Sequence, residues 1–167
     1  VVFFQGCPFD CPGCFNPETH PFESRELTTP SDILKKHFDG ALGLEGITIS
    51  GGEPFMQPRA LAELLRIAKA DYNLTTLVYT GFTIDELRRR PDALDALRHI
   101  DVLVDGRFNE GLREETLLAR GSANQRFIFL TDRYSEADLV MPARVEIVIR
   151  PDGKVVATGF SNLLIPC

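Results

Sequence analysis

Cys7, Cys11 and Cys14 fall within one short stretch, Cys7-Pro8-Phe9-Asp10-Cys11-Pro12-Gly13-Cys14, a C-x-x-x-C-x-x-C spacing. Thiolates are the usual protein ligands of iron–sulfur clusters and of zinc. A structural zinc site closes with four protein ligands, and only three cysteines are local. A cubane cluster held by three cysteines keeps one iron without a protein ligand, open to a substrate or cofactor. His20 could instead complete a zinc site, so a zinc-binding interaction module remains the alternative from another class. The fourth cysteine, Cys167, is remote and reads as a bystander. Three clustered and one distant is not a disulfide framework. It points to metal chemistry in a reducing compartment, the cytoplasm.

A second segment, Gly51-Gly52-Glu53-Pro54, follows an apolar run. Two glycines let backbone approach a ligand closely. Glu53 is an acceptor-only carboxylate suited to an ammonium group, and Pro54 stiffens the turn. A plain strand-to-helix turn with a solvated Glu explains the same residues.

The elements that position these segments alternate. Val1 to Gln5 reads as a strand running into a long loop, Cys7 to Glu26. Thr29 caps a helix that begins with Pro30 and Asp32 and runs to about Phe38. Gly46 to Ser50 is a strand. Leu61, Leu64, Leu65 and Ala68 recur at i, i+3, i+4, i+7, one buried helix face. Leu74 to Thr80 is the next strand. Thr83 with Glu86 is a capping box. Asp101 to Asp105 and Gln125 to Leu130 are further strands. This rhythm predicts a parallel α/β sheet with its site at the strands' C-terminal ends. The chain is too short for a closed barrel of ~250 residues. The expectation is a partial, open β/α barrel of about five to six parallel strands. Val145 to Ile149, Arg150-Pro151-Asp152-Gly153 and Lys154 to Ala157 predict a C-terminal β-hairpin. Residues 1–130 form the core, and residues 131–167 form an extension within the same compact unit.

Composition bounds the rest. Lys plus Arg number 18 against 24 Asp plus Glu, a net charge of −6, with 44% apolar and 25% charged residues. These fractions belong to a globular domain. The acidity argues against a broad basic face for nucleic acid. No apolar run approaches the ~20 residues that span a bilayer, and no secretory signal is visible. The sequence opens at Val1 inside a strand, without an initiator Met, so a missing first segment is expected.

Together, Cys7, Cys11, Cys14 and Gly51-Gly52-Glu53-Pro54 resemble the cluster and amino-group motifs of the radical S-adenosylmethionine superfamily. Phe4-Gln5-Gly6-Cys7, Cys14-Phe15-Asn16-Pro17, Tyr79-Thr80-Gly81-Phe82, Asp101 to Phe108 and Arg120 to Arg126 extend the likeness. They resemble segments of the anaerobic ribonucleotide reductase activating enzymes, which are glycyl-radical enzyme activases. The likeness runs from Val1 to about Leu130. That family's Gly-Pro-Gly segment is absent here, and Gly13 stands at a position often aromatic in the superfamily.

The resemblance implies a [4Fe–4S] cluster on Cys7, Cys11 and Cys14. It also implies S-adenosyl-L-methionine, cleaved to a 5′-deoxyadenosyl radical that takes hydrogen from a glycine of a large partner enzyme. Glu53, with Gly51, Gly52 and Pro54, would receive the methionine ammonium. Asn16 would approach the carboxylate or ribose. Thr80 and Gly81 would line the pocket. Arg120, Ser122, Asn124 and Gln125 would contact cofactor or partner, or serve as loop hydrogen bonds. Asp105 and Arg107 would orient cofactor, a cation or the substrate loop, and read equally as a strand-end salt bridge. Phe9, Phe15 and Phe55 would shield the cluster. The partner would be a glycyl-radical enzyme such as the anaerobic ribonucleotide reductase, and a flavodoxin- or ferredoxin-type protein would donate electrons. The same chemistry on a small molecule or peptide is the alternative.

Overall fold

The computed structural model describes residues 1–41, 43–114, 116, 118–140, 145–149 and 155–159. Five strands form one open sheet in the order β1 (Val2–Phe4), β2 (Gly46–Gly51), β3 (Thr75–Thr80), β4 (Val102–Asp105) and β5 (Arg126–Phe129). Between them lie α1 (Pro30–Phe38), α2 (Pro58–Ala70), α3 (Ile84–Arg88) and α4 (Leu94–Leu97). The capping residues start the helices as their chemistry requires. Thr29 Oγ1 accepts from Asp32 N–H at 3.1 Å, and Thr83 and Glu86 form a reciprocal capping box. The helix α2 buries Leu61, Leu64, Leu65 and Ala68, the predicted face, and adds Ala62 and Ile67.

Strands β1 to β4 run parallel, with Val2 beside Ile49, Ile49 beside Val78 and Val78 beside Leu103. Sequential strands are spatial neighbours. Right-handed crossovers in that order place the helices on one face of a sheet. Leu34, Ile47, Ile49, Leu61, Leu65, Val78 and Leu103 make the core there. In β2 and β3 burial alternates along the strand, so Thr48, Ser50 and Tyr79 point to the other face.

Two expectations change. The sheet has four parallel strands, not five to six, because β5 runs antiparallel to β4, with Leu103 opposite Ile128. A parallel fifth strand needs a crossover, usually a helix. Among its described residues the segment after β4 has a single 3₁₀ turn, Glu110–Leu112. It crosses the uncovered face, where Tyr79 Oη donates to the Ala119 carbonyl at 2.8 Å, and enters β5 from the opposite end. The sheet has two separate edges, β1 and β5, and does not close. In the C-terminal segment, β6 (Val145–Ile149) and β7 (Val155–Gly159) pair antiparallel in a sheet of their own. The predicted turn at 150–154 and Cys167 lie outside the described residues. Among the described residues no helix is long and apolar enough to cross a membrane.

The two ends of the sheet differ in kind. At the N-terminal end of β4, Asp101 is fully buried and bonded by Lys69 Nζ at 2.7 Å, Thr131 Oγ1 at 2.8 Å and Thr76 N–H at 2.9 Å. Every group there is satisfied, which is a brace. The C-terminal end holds the cavity.

Candidate metal and cofactor site

The cysteine loop is fastened at its stems. Gly6 N–H donates to the Thr19 carbonyl at 2.8 Å and Cys7 N–H to the His20 carbonyl at 2.9 Å. Within the loop, Asp10 and Gly13 take positive φ (44° and 69°), and Cys14 N–H donates to the Cys11 carbonyl at 3.2 Å. These bends turn the three side chains toward one cavity.

The end of β2 locks onto that loop through backbone alone. Gly52 N–H donates to the Phe4 carbonyl at 2.7 Å and Glu53 N–H to the Gly6 carbonyl at 2.8 Å. Gly51 has φ +98°, which disfavours any side chain. At Gly52 a Cβ would lie 2.5 Å from the Gly6 carbonyl oxygen. The glycine pair therefore lets β2 and the cysteine loop touch, besides whatever room it leaves a ligand.

Glu53 is 1% exposed, not solvated. Its Oε1 accepts from Phe55 N–H at 2.9 Å and Thr80 Oγ1 at 2.9 Å; its Oε2 accepts from Gly81 N–H at 2.7 Å. A carboxylate has about four lone-pair sites, so about one stays free. Burial pushes the carboxyl up to about 7, against the pull of the Phe55 and Gly81 N–H groups and the Thr80 hydroxyl. A cation entering the cavity would restore the ionised form.

The cavity has a volume of about 520 Å³. It brings together the predicted Cys7, Cys11, Cys14, Asn16, Gly51, Gly52, Glu53, Thr80 and Gly81. All three cysteines are free thiols, partly buried. Burial pushes the Cys7 thiol up, and Glu53, Cys11 and Cys14 add to the rise. Burial likewise raises Cys11, with Cys14 adding to it. Three thiols lining one cavity are the donor set an iron–sulfur core takes, releasing protons as it binds. The donor set therefore fits a cluster. His20 also lines the cavity, but its Nδ1 faces Asp10 Oδ1 at 3.3 Å. Among the described residues no three His, Cys, Asp or Glu side chains converge closely enough to hold a single metal ion.

Pro54, Phe55, Asp105, Ser122 and Asn124 do not line this cavity. Pro54 is buried at the start of the 3₁₀ turn Pro54–Met56. Asp105 is the salt-bridge half of its two readings: Oδ2 accepts from Ile84 N–H at 2.7 Å and from Arg126 Nη2 at 2.6 Å, and Oδ1 accepts from Arg126 Nε at 2.9 Å. Ser122 Oγ accepts from Asn109 N–H at 3.1 Å, and Asn124 Nδ2 donates to the Arg107 carbonyl at 2.9 Å. Phe55 is core, at 0% exposed, while Phe9 and Phe15 line the cavity.

The cavity also takes in Ser50, Thr48 and Tyr79, to which the motifs gave no role, and Arg120 and Gln125 of the polar cluster read as a contact to cofactor or partner. Ser50, Thr48 and Tyr79 line it from the uncovered sheet face. Their signal was present as polar residues alternating through otherwise apolar strands. Gln125 lines it too, its Oε1 accepting from Gly121 N–H at 2.9 Å and its Nε2 donating to the Gly106 carbonyl at 2.9 Å. Arg120 reaches the cavity wall while paired with Glu114. The Thr116 hydroxyl, with Arg120, holds the Glu114 carboxyl down to about 2.

A thiol-lined cavity at the C-terminal edge of a parallel sheet, with a buried carboxylate opposite, defines an α/β protein of the iron–sulfur class. Residues 1–128 match the family described as the 4Fe-4S single cluster domain, and the chain belongs to that family. It is 35% identical over 137 residues to the anaerobic ribonucleoside-triphosphate reductase-activating protein of Pasteurella multocida, covering 75% of this chain and 83% of that protein. The protein of the same name from Escherichia coli K12 is 33% identical over 132 residues, covering 75% and 84%. That of Enterobacteria phage T4 is 30% identical over 137 residues, covering 79% and 84%.

Proposed function

We propose that this chain is a radical S-adenosylmethionine activase that generates a glycyl radical on a large partner, as an anaerobic ribonucleotide reductase activating protein does. The observation that carries the reading is one cavity lined by both Cys7, Cys11, Cys14 and the Glu53–Thr80–Gly81 corner.

Cys7, Cys11 and Cys14 would hold a [4Fe–4S] cluster with one iron lacking a protein ligand. When bound, the cluster and S-adenosylmethionine would supply one-electron cleavage of a carbon–sulfur bond and, from it, hydrogen abstraction. The chain's own residues do the rest. Glu53 offers its remaining lone pair to the methionine ammonium, held rigid by three donors. The Asn16 side chain makes no capping bond to its own 3₁₀ turn, and its amide is available to the carboxylate or ribose. Gly51, Gly52 and Gly81 admit the cofactor close to backbone. Phe9 and Phe15 keep water from the thiolates. The relatives' names support the anaerobic reductase as partner. An electron donor of flavodoxin or ferredoxin type, and a cytoplasmic setting, complete the proposal.

The test is anaerobic reconstitution with iron and sulfide. About four irons per chain should bind, and each of Cys7→Ser, Cys11→Ser and Cys14→Ser should abolish a stable cluster. Dithionite-reduced protein should convert S-adenosylmethionine to methionine and 5′-deoxyadenosine. With the reductase added, electron paramagnetic resonance should show a glycyl radical. No 5′-deoxyadenosine from fully loaded protein overturns the reading. Product without a partner glycyl radical moves it to a small-molecule or peptide substrate.

A further inference from the structure

The cysteine loop carries one aromatic between its first two thiols, Phe9, and that ring is gripped from several sides. Its edge meets Phe82 at 4.8 Å between centroids, with planes at 73°. It lies so close over Gly81 that a Cβ there would strike it. The Arg107 guanidinium sits 4.5 Å from its centroid. Beyond Phe82, Arg90 stacks at 5.0 Å and donates through Nη2 to the Phe55 carbonyl at 2.9 Å. The result is a continuous column, Arg90–Phe82–Phe9–Arg107, running from the Glu53 turn to the cysteine loop.

Arg107 is the exposed end of the column, yet its position is set twice. Its side chain rests on Phe9, and its carbonyl accepts from Asn124 Nδ2 at 2.9 Å. Its charge also sits against the cysteine loop: Phe9, the ring it rests on, stands two residues from Cys7 and two from Cys11. A cation fixed beside a thiolate-held cluster favours adding an electron to it, because reduction makes that centre more negative.

We propose that Arg107, seated on Phe9, is a positioning residue for the iron–sulfur site: it pins the loop between Cys7 and Cys11 to the end of β4, and its charge eases one-electron reduction of the cluster. No bond is made or broken in this step. One electron passes from an external one-electron reductant to the oxidised cluster. The inference rests on the cluster reading above.

The test is a redox titration of reconstituted protein with one-electron dyes, with iron content measured alongside. Arg107→Gln should lower the reduction equilibrium constant about tenfold, about 59 mV for a one-electron couple. Arg107→Lys, which keeps the charge, should stay within about threefold of the parent. Phe9→Leu removes the seat and should shift the potential in the same direction as Arg107→Gln. Adding Arg107→Gln to Phe9→Leu should then change little more. Iron loss in Arg107→Gln that Arg107→Lys restores supports the pinning half. A parental potential in fully loaded Arg107→Gln overturns the inference alone, as do equal shifts in the Gln and Lys variants. A parent that binds no cluster overturns the underlying reading with it.

Discussion

Gly81 N–H donates to Glu53 Oε2 across 2.7 Å, and this bond joins the end of β3 to the turn after β2. The two residues belong to separate motifs, 28 positions apart. Their contact makes the buried carboxylate and the cavity-lining glycine one structural unit. The other Glu53 oxygen takes Thr80 and Phe55, so one side chain braces three segments.

Removing that brace should cost stability as well as cofactor binding. Glu53→Ala takes the acceptor from the Phe55 and Gly81 N–H groups and the Thr80 hydroxyl, a loss of about 3 kcal/mol in urea unfolding. Glu53→Gln can keep the Phe55 and Thr80 bonds but turns an NH₂ donor toward the Gly81 donor, a loss of about 1–3 kcal/mol. Both variants should bind S-adenosylmethionine at least tenfold more weakly by equilibrium dialysis of loaded protein.

Glu53 should also set a pH dependence in the metal-free protein. Its carboxyl is raised from 4.5 to about 7 by burial. Between those values the folded state keeps a proton that the unfolded state has released. Its contribution to stability is therefore full below about pH 4.5 and declines as pH rises to about 7. The decline is on the order of 3 kcal/mol. Comparing unfolding midpoints of the parent and Glu53→Gln from pH 4.5 to 7.5 isolates it. Equal slopes in the two proteins exclude Glu53 as the source.

The two glycines at 52 and 111 should respond oppositely to alanine. At Gly52 a Cβ would sit 2.5 Å from the Gly6 oxygen and 2.8 Å from the Thr19 oxygen, both backbone and both rigid. Gly52→Ala should cost about 3 kcal/mol and lower iron uptake, since the cysteine loop must shift. At Gly111 the nearest atom is the Asn109 side-chain oxygen at 3.4 Å. Gly111→Ala should stay within about 0.5 kcal/mol of the parent.

Asp105 should separate brace from cofactor contact. It caps α3 and is paired with Arg126. Asp105→Ala should lower stability by about 2 kcal/mol while leaving the affinity of loaded protein for S-adenosylmethionine unchanged. A tenfold weaker affinity with unchanged stability would return Asp105 to the cofactor.

The sequence by itself determined the spacing of the three thiols and the local elements. Cysteine spacing, caps at Thr29 and Thr83 and the apolar period of α2 are short-range chemistry, complete within a few residues. The structure then decided what depends on groups distant in the chain. Whether Glu53 is solvated, whether Asp105 faces cofactor or Arg126, and whether β5 runs parallel each turns on a partner at least 20 positions away. Local pattern cannot name such a partner, because folding brings it near only when the sheet assembles. For the same reason Phe9 reads in the sequence as a shield for the cluster and not as the seat of a cation. Only the packing of β3 and β4 against the loop sets Arg107 on its ring.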